Sequence, residues 1–111
     1  MIKSYKSAKT RRAHETGNPK GFKGLDGRRA VRVLDILDAA DSIGQLPGLA
    51  SYRVHKLTGN RQGQWSMTIK LPWVVCFTPD VIEAGKDENG NVISEVTDGW
   101  LDVEITDYHK G

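Results

Sequence analysis

The sequence predicts an α+β domain in which two N-terminal helices pack on one face of an antiparallel sheet. Three observations predict it. Apolar residues recur at helical spacing between Arg28 and Ala40. The period changes to alternation after Tyr52, and clusters of Gly, Asn and Pro then divide the chain into hairpin-sized pieces. Helices gathered first and strands gathered last belong to an α+β arrangement rather than an alternating α/β one. With 111 residues the chain has enough length for one core, so residues 1–111 read as a single domain.

Taken in order, Ile2–Tyr5 is a short opening strand with thin apolar content. Lys6–Glu15 reads as a strongly basic surface helix stopped by Gly17 and Pro19, and Gly17–Gly27 as a loop. The clearest helix is Arg28–Ala40, with Asp26 as its N-cap. Its Ala30, Val33, Leu34, Leu37 and Ala40 line one face. Arg28, Arg29 and Arg32 sit near its start, the unfavourable end for cations, at about a few tenths of a kcal/mol each. Leu46-Pro47-Gly48-Leu49 is a turn. Tyr52–Leu57 alternates, with Tyr52, Val54 and Leu57 on one side and Arg53 and His55 on the other. Thr58–Gly63 has hairpin-turn chemistry. Trp65–Ile69 and Trp73–Phe77 are two further strands with Pro72 in their connection. The acidic stretch Asp80–Asp98 is an extended hairpin about Glu88-Asn89-Gly90-Asn91. The last strand, Trp100–Tyr108, alternates Leu101, Val103 and Ile105 with Asp102, Glu104 and Thr106.

Composition narrows the function classes. Hydrophobic residues make up 38% and charged residues 27%, ordinary for a globular chain and unlike a disordered one. No stretch approaches the roughly 18 apolar residues of a membrane span, and the N-terminus has no apolar secretion segment. The single cysteine, Cys76, cannot form an internal disulfide; in its apolar run it reads as a buried small hydrophobe, and a cytoplasmic home fits. The net charge of +2 conceals an asymmetry. Residues 1–32 carry ten Lys/Arg against Glu15 and Asp26, and residues 80–111 carry two basic against nine acidic side chains. The basic third suits a phosphate-backbone binder. It equally suits a solvated face balanced in the fold by the acidic third. Paired-cysteine zinc spacing, a phosphate-cradling glycine loop and a nucleophile elbow are all missing from the sequence.

Two places concentrate groups able to move protons or meet phosphate. One is Arg53 to Arg61, with His55 and Lys56; the other is the end of the last strand, Asp107-Tyr108-His109. If that strand lies near the one carrying His55, the set suits RNA cleavage by the RNA's own 2′-hydroxyl. Such a reaction needs a base for the 2′-OH, an acid for the 5′ oxygen and cations for the phosphorane, and no metal. Each residue also has an ordinary reading: a solvent-facing strand histidine, a frayed terminus, solubilising cations around a turn. Trp65, Trp73 and Trp100 read as packing residues rather than base-stacking platforms, with one of them available for the site's rim.

The run Tyr52-Arg53-Val54-His55-Lys56-Leu57, followed by Gly59, Arg61, Gly63-Gln64-Trp65-Ser66, Trp73 and the terminal Asp107-Tyr108-His109, resembles the HigB branch of the RelE/ParE toxin superfamily over nearly the whole chain. The resemblance implies a microbial-ribonuclease-like α+β fold and a toxin of a type II toxin–antitoxin system. It also implies a cofactor-free endoribonuclease that cleaves messenger RNA in the ribosomal A site. The implied partners are a HigA-like helix-turn-helix antitoxin, the ribosome with its messenger RNA, and operator DNA only through the antitoxin. His55, Asp107, Tyr108 and His109 would form the catalytic set, with Arg53, Lys56 and Arg61, and Lys9, Arg11 and Arg12 of the basic helix, as RNA or ribosome contacts. Two departures stand out. Relatives carry an arginine after the third-strand tryptophan, where Val74 follows Trp73 here, and they have a short turn in place of Asp80–Asp98. Val74 keeps open a non-nucleolytic inhibitor of the ParE kind, with DNA gyrase as an example target, and a degenerate toxin retained as a binding module.

Overall fold

The computed structural model describes residues 1–108; the expected catalytic His109 lies outside the described residues, with Lys110 and Gly111. Helices α1 (Ala8–Thr16) and α2 (Gly27–Ala39) come first, and a 3-10 segment, Ile43–Tyr52, follows. The strands are β1 (His55–Lys56), β2 (Trp65–Lys70), β3 (Trp73–Lys86) and β4 (Val92–Asp107). They form one antiparallel sheet in the order β1-β2-β3-β4. The expected α+β architecture is the observed one.

Local chemistry sets the helix ends. The Ser7 hydroxyl accepts from the Thr10 amide at 3.3 Å to start α1, and Gly17, at φ 75°, stops it in the left-handed conformation that glycine adopts without strain. The Asp26 carboxylate accepts from the Arg29 amide at 3.2 Å, so Asp26 caps α2 as expected. Ala30, Val33, Leu34 and Leu37 of α2 are fully buried against Met67, Ile69, Val75, Phe77, Trp100, Val103 and Ile105 of the sheet. That is the hydrophobic core, and it lies on the helix side of the sheet.

The N-terminal segment runs parallel to β4, bridging Ile2 to Trp100 and Tyr5 to Val103. It covers that edge of the sheet and brings Lys6 beside β4. Opposite it β4 bulges: Cys76 pairs with Glu104 but Thr78 pairs with Leu101, so β4 carries one extra residue, and Asp102 stands at φ 52°. The bulge corrects the expected alternation. It turns the strand so that Trp100, with no exposed surface, enters the core in place of Leu101, which is only half-buried.

The expected strand Tyr52–Leu57 is also corrected. Tyr52 ends the 3-10 segment, which includes the expected turn Leu46–Leu49, and Arg53 adopts φ 55°. That left-handed residue interrupts the extended run, and only His55 and Lys56 remain to pair with Ser66 and Trp65. The acidic stretch is the expected extended hairpin. Strands β3 and β4 continue to Lys86 and Val92, and the Asp87 carboxylate closes the tip by accepting from the Asn89 and Asn91 amides, both at 2.9 Å.

Candidate functional site

Strand alternation turns half of each strand's side chains away from the helices. His55 pairs with Ser66, Ser66 with Cys76 and Cys76 with Glu104, so these four residues form one row across the sheet. Thr68, Val74 and Thr106 form the next row. Ser66, Val74 and Cys76 are buried without joining the helix-side core. They floor a cleft of about 430 Å³ that is walled by His55, Leu57, Thr58 and Tyr108. The Tyr108 amide donates to the Pro72 carbonyl at 2.6 Å, which holds this residue against the β2–β3 connection.

His55 is oriented by the backbone. Its Nδ1 lies 2.8 Å from the Arg53 carbonyl oxygen, and a carbonyl can only accept. The neutral ring therefore carries its proton on Nδ1 and leaves Nε2 as a proton acceptor. The left-handed conformation of Arg53 is what places that carbonyl, so the residue that ended the expected strand fixes the tautomer of the imidazole.

Cations frame this face. Arg61 Nη1 donates to Gln64 Oε1 at 3.1 Å, and its Nη2 lies 3.7 Å from Glu104 Oε1. Lys6 Nζ approaches the other Glu104 oxygen at 3.3 Å. Burial pushes the Cys76 thiol up from its ordinary pKa, partly opposed by the nearby positive charge of Arg61. Cys76 is thus the buried thiol expected from its apolar run, and it faces the cleft.

The expected site residues divide. His55 and Tyr108 share the cleft. Asp107 pairs with Trp73 and lies in a neighbouring groove of about 450 Å³ with Lys6, Lys9, Phe22 and Trp73. Lys56 pairs with Trp65, which packs toward the helices, so it leaves the sheet on the face opposite His55. Arg53 borders a third recess with Arg29, Tyr52 and Lys70. Lys9 sits 4.7 Å above the Phe22 ring beside the Asp107 groove, and Arg11 lies 5.4 Å from the Tyr5 ring. Arg12 Nη2 donates to the Lys20 carbonyl at 3.4 Å. Part of the basic third is balanced inside the fold, because Lys3 pairs with Asp80 at 2.7 Å and Asp98 at 3.3 Å. All three tryptophans pack toward the core, and Trp73 also forms the rim of the Asp107 groove.

Sequence reasoning did not single out Ser66, Cys76 or Glu104 as site residues. For Glu104 the signal was its polar position in the alternation of β4, one step from two core residues. Its value as a site residue depends on which strand lies beside it, and that is a tertiary fact.

The fold and this face define a class: a small α+β domain that presents an oriented imidazole, a phenol and paired cations on the open side of its sheet. No family model matches the chain. The chain is similar to Endoribonuclease HigB of Proteus vulgaris, with 35% identity over 77 residues that cover 69% of this chain and 83% of that protein. The chain belongs to the HigB family of RelE-superfamily toxins. Among the described residues, no helix is long and apolar enough to cross a membrane.

Proposed function

We propose that the protein is a toxin endoribonuclease that cuts messenger RNA in the ribosomal A site, through the RNA's own 2′-hydroxyl and without a metal. The observation that carries this reading is His55, whose Nδ1 is engaged by the Arg53 carbonyl while its ring borders the cleft shared with Tyr108. In the reaction, His55 Nε2 takes the 2′-OH proton, the 2′ oxygen bonds to phosphorus, and the bond from phosphorus to the 5′ oxygen breaks. The leaving oxygen receives a proton from the chain end, where His109 is the acid. Tyr108 positions or stacks on the substrate and Asp107 orients the end. Arg53, Lys56 and Arg61 contact RNA or ribosome, as do Lys9, Arg11 and Arg12. A HigA-like antitoxin holds the toxin inactive and links it to operator DNA, and the site of action is the cytoplasm.

The test is to express the chain without antitoxin and map messenger RNA 5′ ends beside a His55→Gln variant. Cuts inside translated codons that vanish in the variant are expected. Growth arrest with intact messenger RNA in the wild type would overturn the reading. Val74 favours a second reading, because it puts an apolar side chain in the cleft where the resemblance expects an arginine. That reading is a non-nucleolytic inhibitor of the ParE kind, and DNA-damage signalling without RNA cuts would support it.

A further inference from the structure

Glu104 is an acid on a face that should meet RNA, and a bare carboxylate there would repel phosphate. It is not bare. Lys6 and Arg61 both reach it, so the three side chains together carry a net positive charge. The two cations differ in their surroundings. Lys6 keeps 54% of its side-chain surface exposed, whereas Arg61 keeps 21% and Glu104 18%. Solvent therefore screens the lysine contact more strongly than the arginine contact. Arg61 stands on the short segment between β1 and β2, yet its guanidinium ends beside a β4 residue. To get there it crosses the sheet above the Ser66–Cys76 row, and its charge is felt at the Cys76 thiol on the cleft floor. Glu104 itself borders the groove that holds Asp107. The pair therefore lies on the divide between the two recesses over which the expected catalytic groups are spread.

We propose that Glu104 is a positioning residue that pins the Arg61 guanidinium over this divide, where it meets the scissile phosphate and supplies the cation that Val74 cannot. The inference rests on the endoribonuclease reading above. A flexible arginine on a turn samples many rotamers, and one tethered at both Nη atoms, by Gln64 and Glu104, is already oriented for a phosphate. The pin is weak enough to exchange, since 3.7 Å is an ion-pair distance rather than a short hydrogen bond. An arriving phosphate can share the guanidinium while Lys6 continues to neutralise Glu104.

The experiment compares wild type, Arg61→Ala, Glu104→Gln and the double variant in single-turnover cleavage of messenger RNA on programmed ribosomes. In parallel it measures the salt dependence of binding to a single-stranded RNA oligonucleotide blocked by 2′-deoxy substitution. Losing one transition-state cation should lower kcat by about 100-fold or more in Arg61→Ala. Glu104→Gln should lower kcat by about tenfold with KM nearly unchanged, an effect on orientation rather than on binding. The double variant should match Arg61→Ala alone, because a pin has no function without the residue it holds. Glu104→Gln with wild-type kcat, or effects that multiply in the double variant, would overturn the proposal. If the wild type does not cut RNA at all, the endoribonuclease reading fails, and the binding slope decides the placement. An Arg61 that meets phosphate contributes about 0.7 to the slope of log K against log salt; an unchanged slope in Arg61→Ala would remove Arg61 from the RNA path.

Discussion

Trp100→Phe is the substitution that tests most directly how β4 is built. The indole is fully buried, lies 5.1 Å from the Phe77 ring in an edge-to-face contact, and donates from Nε1 to the Leu37 and Ala40 carbonyls at 2.9 and 2.7 Å. Exchanging indole for phenyl removes roughly two methylene equivalents of buried apolar surface, about 1.5 kcal/mol. Neither carbonyl is left bare, because Leu37 also accepts from the Ala40 amide at 3.1 Å and Ala40 from the N-terminal ammonium at 2.7 Å. The lost hydrogen bonds therefore cost about 1 kcal/mol net rather than a full desolvation penalty. The expected total is about 2–3 kcal/mol, or roughly 10 °C in Tm for a domain of this size. Leu101→Ala, at a half-buried position, should cost about 1 kcal/mol. Urea denaturation at 25 °C followed by far-UV circular dichroism gives both values. If Leu101→Ala costs more than Trp100→Phe, then β4 alternates regularly, the bulge at Asp102 is not formed, and the placement of Glu104 beside Cys76 falls with it.

Three further outcomes follow from the same contacts. Burial raises the Cys76 thiol, so the unfolded chain ionises first; stability should be complete below the ordinary thiol range and fall as pH rises through about 8.5 and beyond. Cys76→Ala should flatten part of that slope in denaturant melts at pH 7 to 10. Its thiol should also react with a chromogenic disulfide only as fast as the domain opens. Replacing residues 82–96 with Asn-Gly removes exposed Ile82, Val92, Ile93 and Val96 and closes the Val81–Thr97 pair with a two-residue turn in place of the paired arm. The unfolding free energy should then move by less than about 1 kcal/mol, and a larger loss would show that the arm supports the core. Asp87, held below the usual carboxylate range mainly by hydrogen bonding from the Asn91 amide, should keep the arm's tip ordered above the ordinary aspartate pKa and release it as pH falls through its lowered value. Protection of the Asn89 and Asn91 amides, taken relative to their intrinsic exchange rates, should therefore fall in acid, and Asp87→Ala should abolish that dependence.

Much of this architecture is legible in the sequence, and the reason is local. Helix α2 declares itself by the spacing of Ala30, Val33, Leu34 and Leu37 and by the Asp26 cap, all within reach of one helical turn or its neighbour. The arm declares itself by Asn89-Gly90, whose preference for a tight turn needs no distant partner. Cys76 and the three tryptophans read as packing residues because large or soft apolar groups gain from burial wherever the chain places them. The misread elements share a different cause. The run Tyr52–Leu57 alternates well, but Arg53 takes a left-handed conformation that ends a 3-10 segment, and propensity gives no warning of it. Leu101 alternates with Val103 and Ile105, but the bulge at Asp102 gives the core to Trp100.

The sequence by itself determined the fold class, the two helices, the hairpin arm, and His55, Asp107 and Tyr108 as residues able to carry chemistry, because residue type and short-range spacing decide these. The tertiary structure decided which of them meet. Strand register set His55, Ser66, Cys76 and Glu104 in one row, put Tyr108 in the same cleft and turned Asp107 into the next groove. It also aimed the Arg53 carbonyl at the His55 ring and drew Arg61 to Glu104 across the sheet. Register and bulges are settled by the packing of the whole core, where shifting a strand by one residue exchanges its faces. That choice is made between strands far apart in the chain, and no local pattern records it.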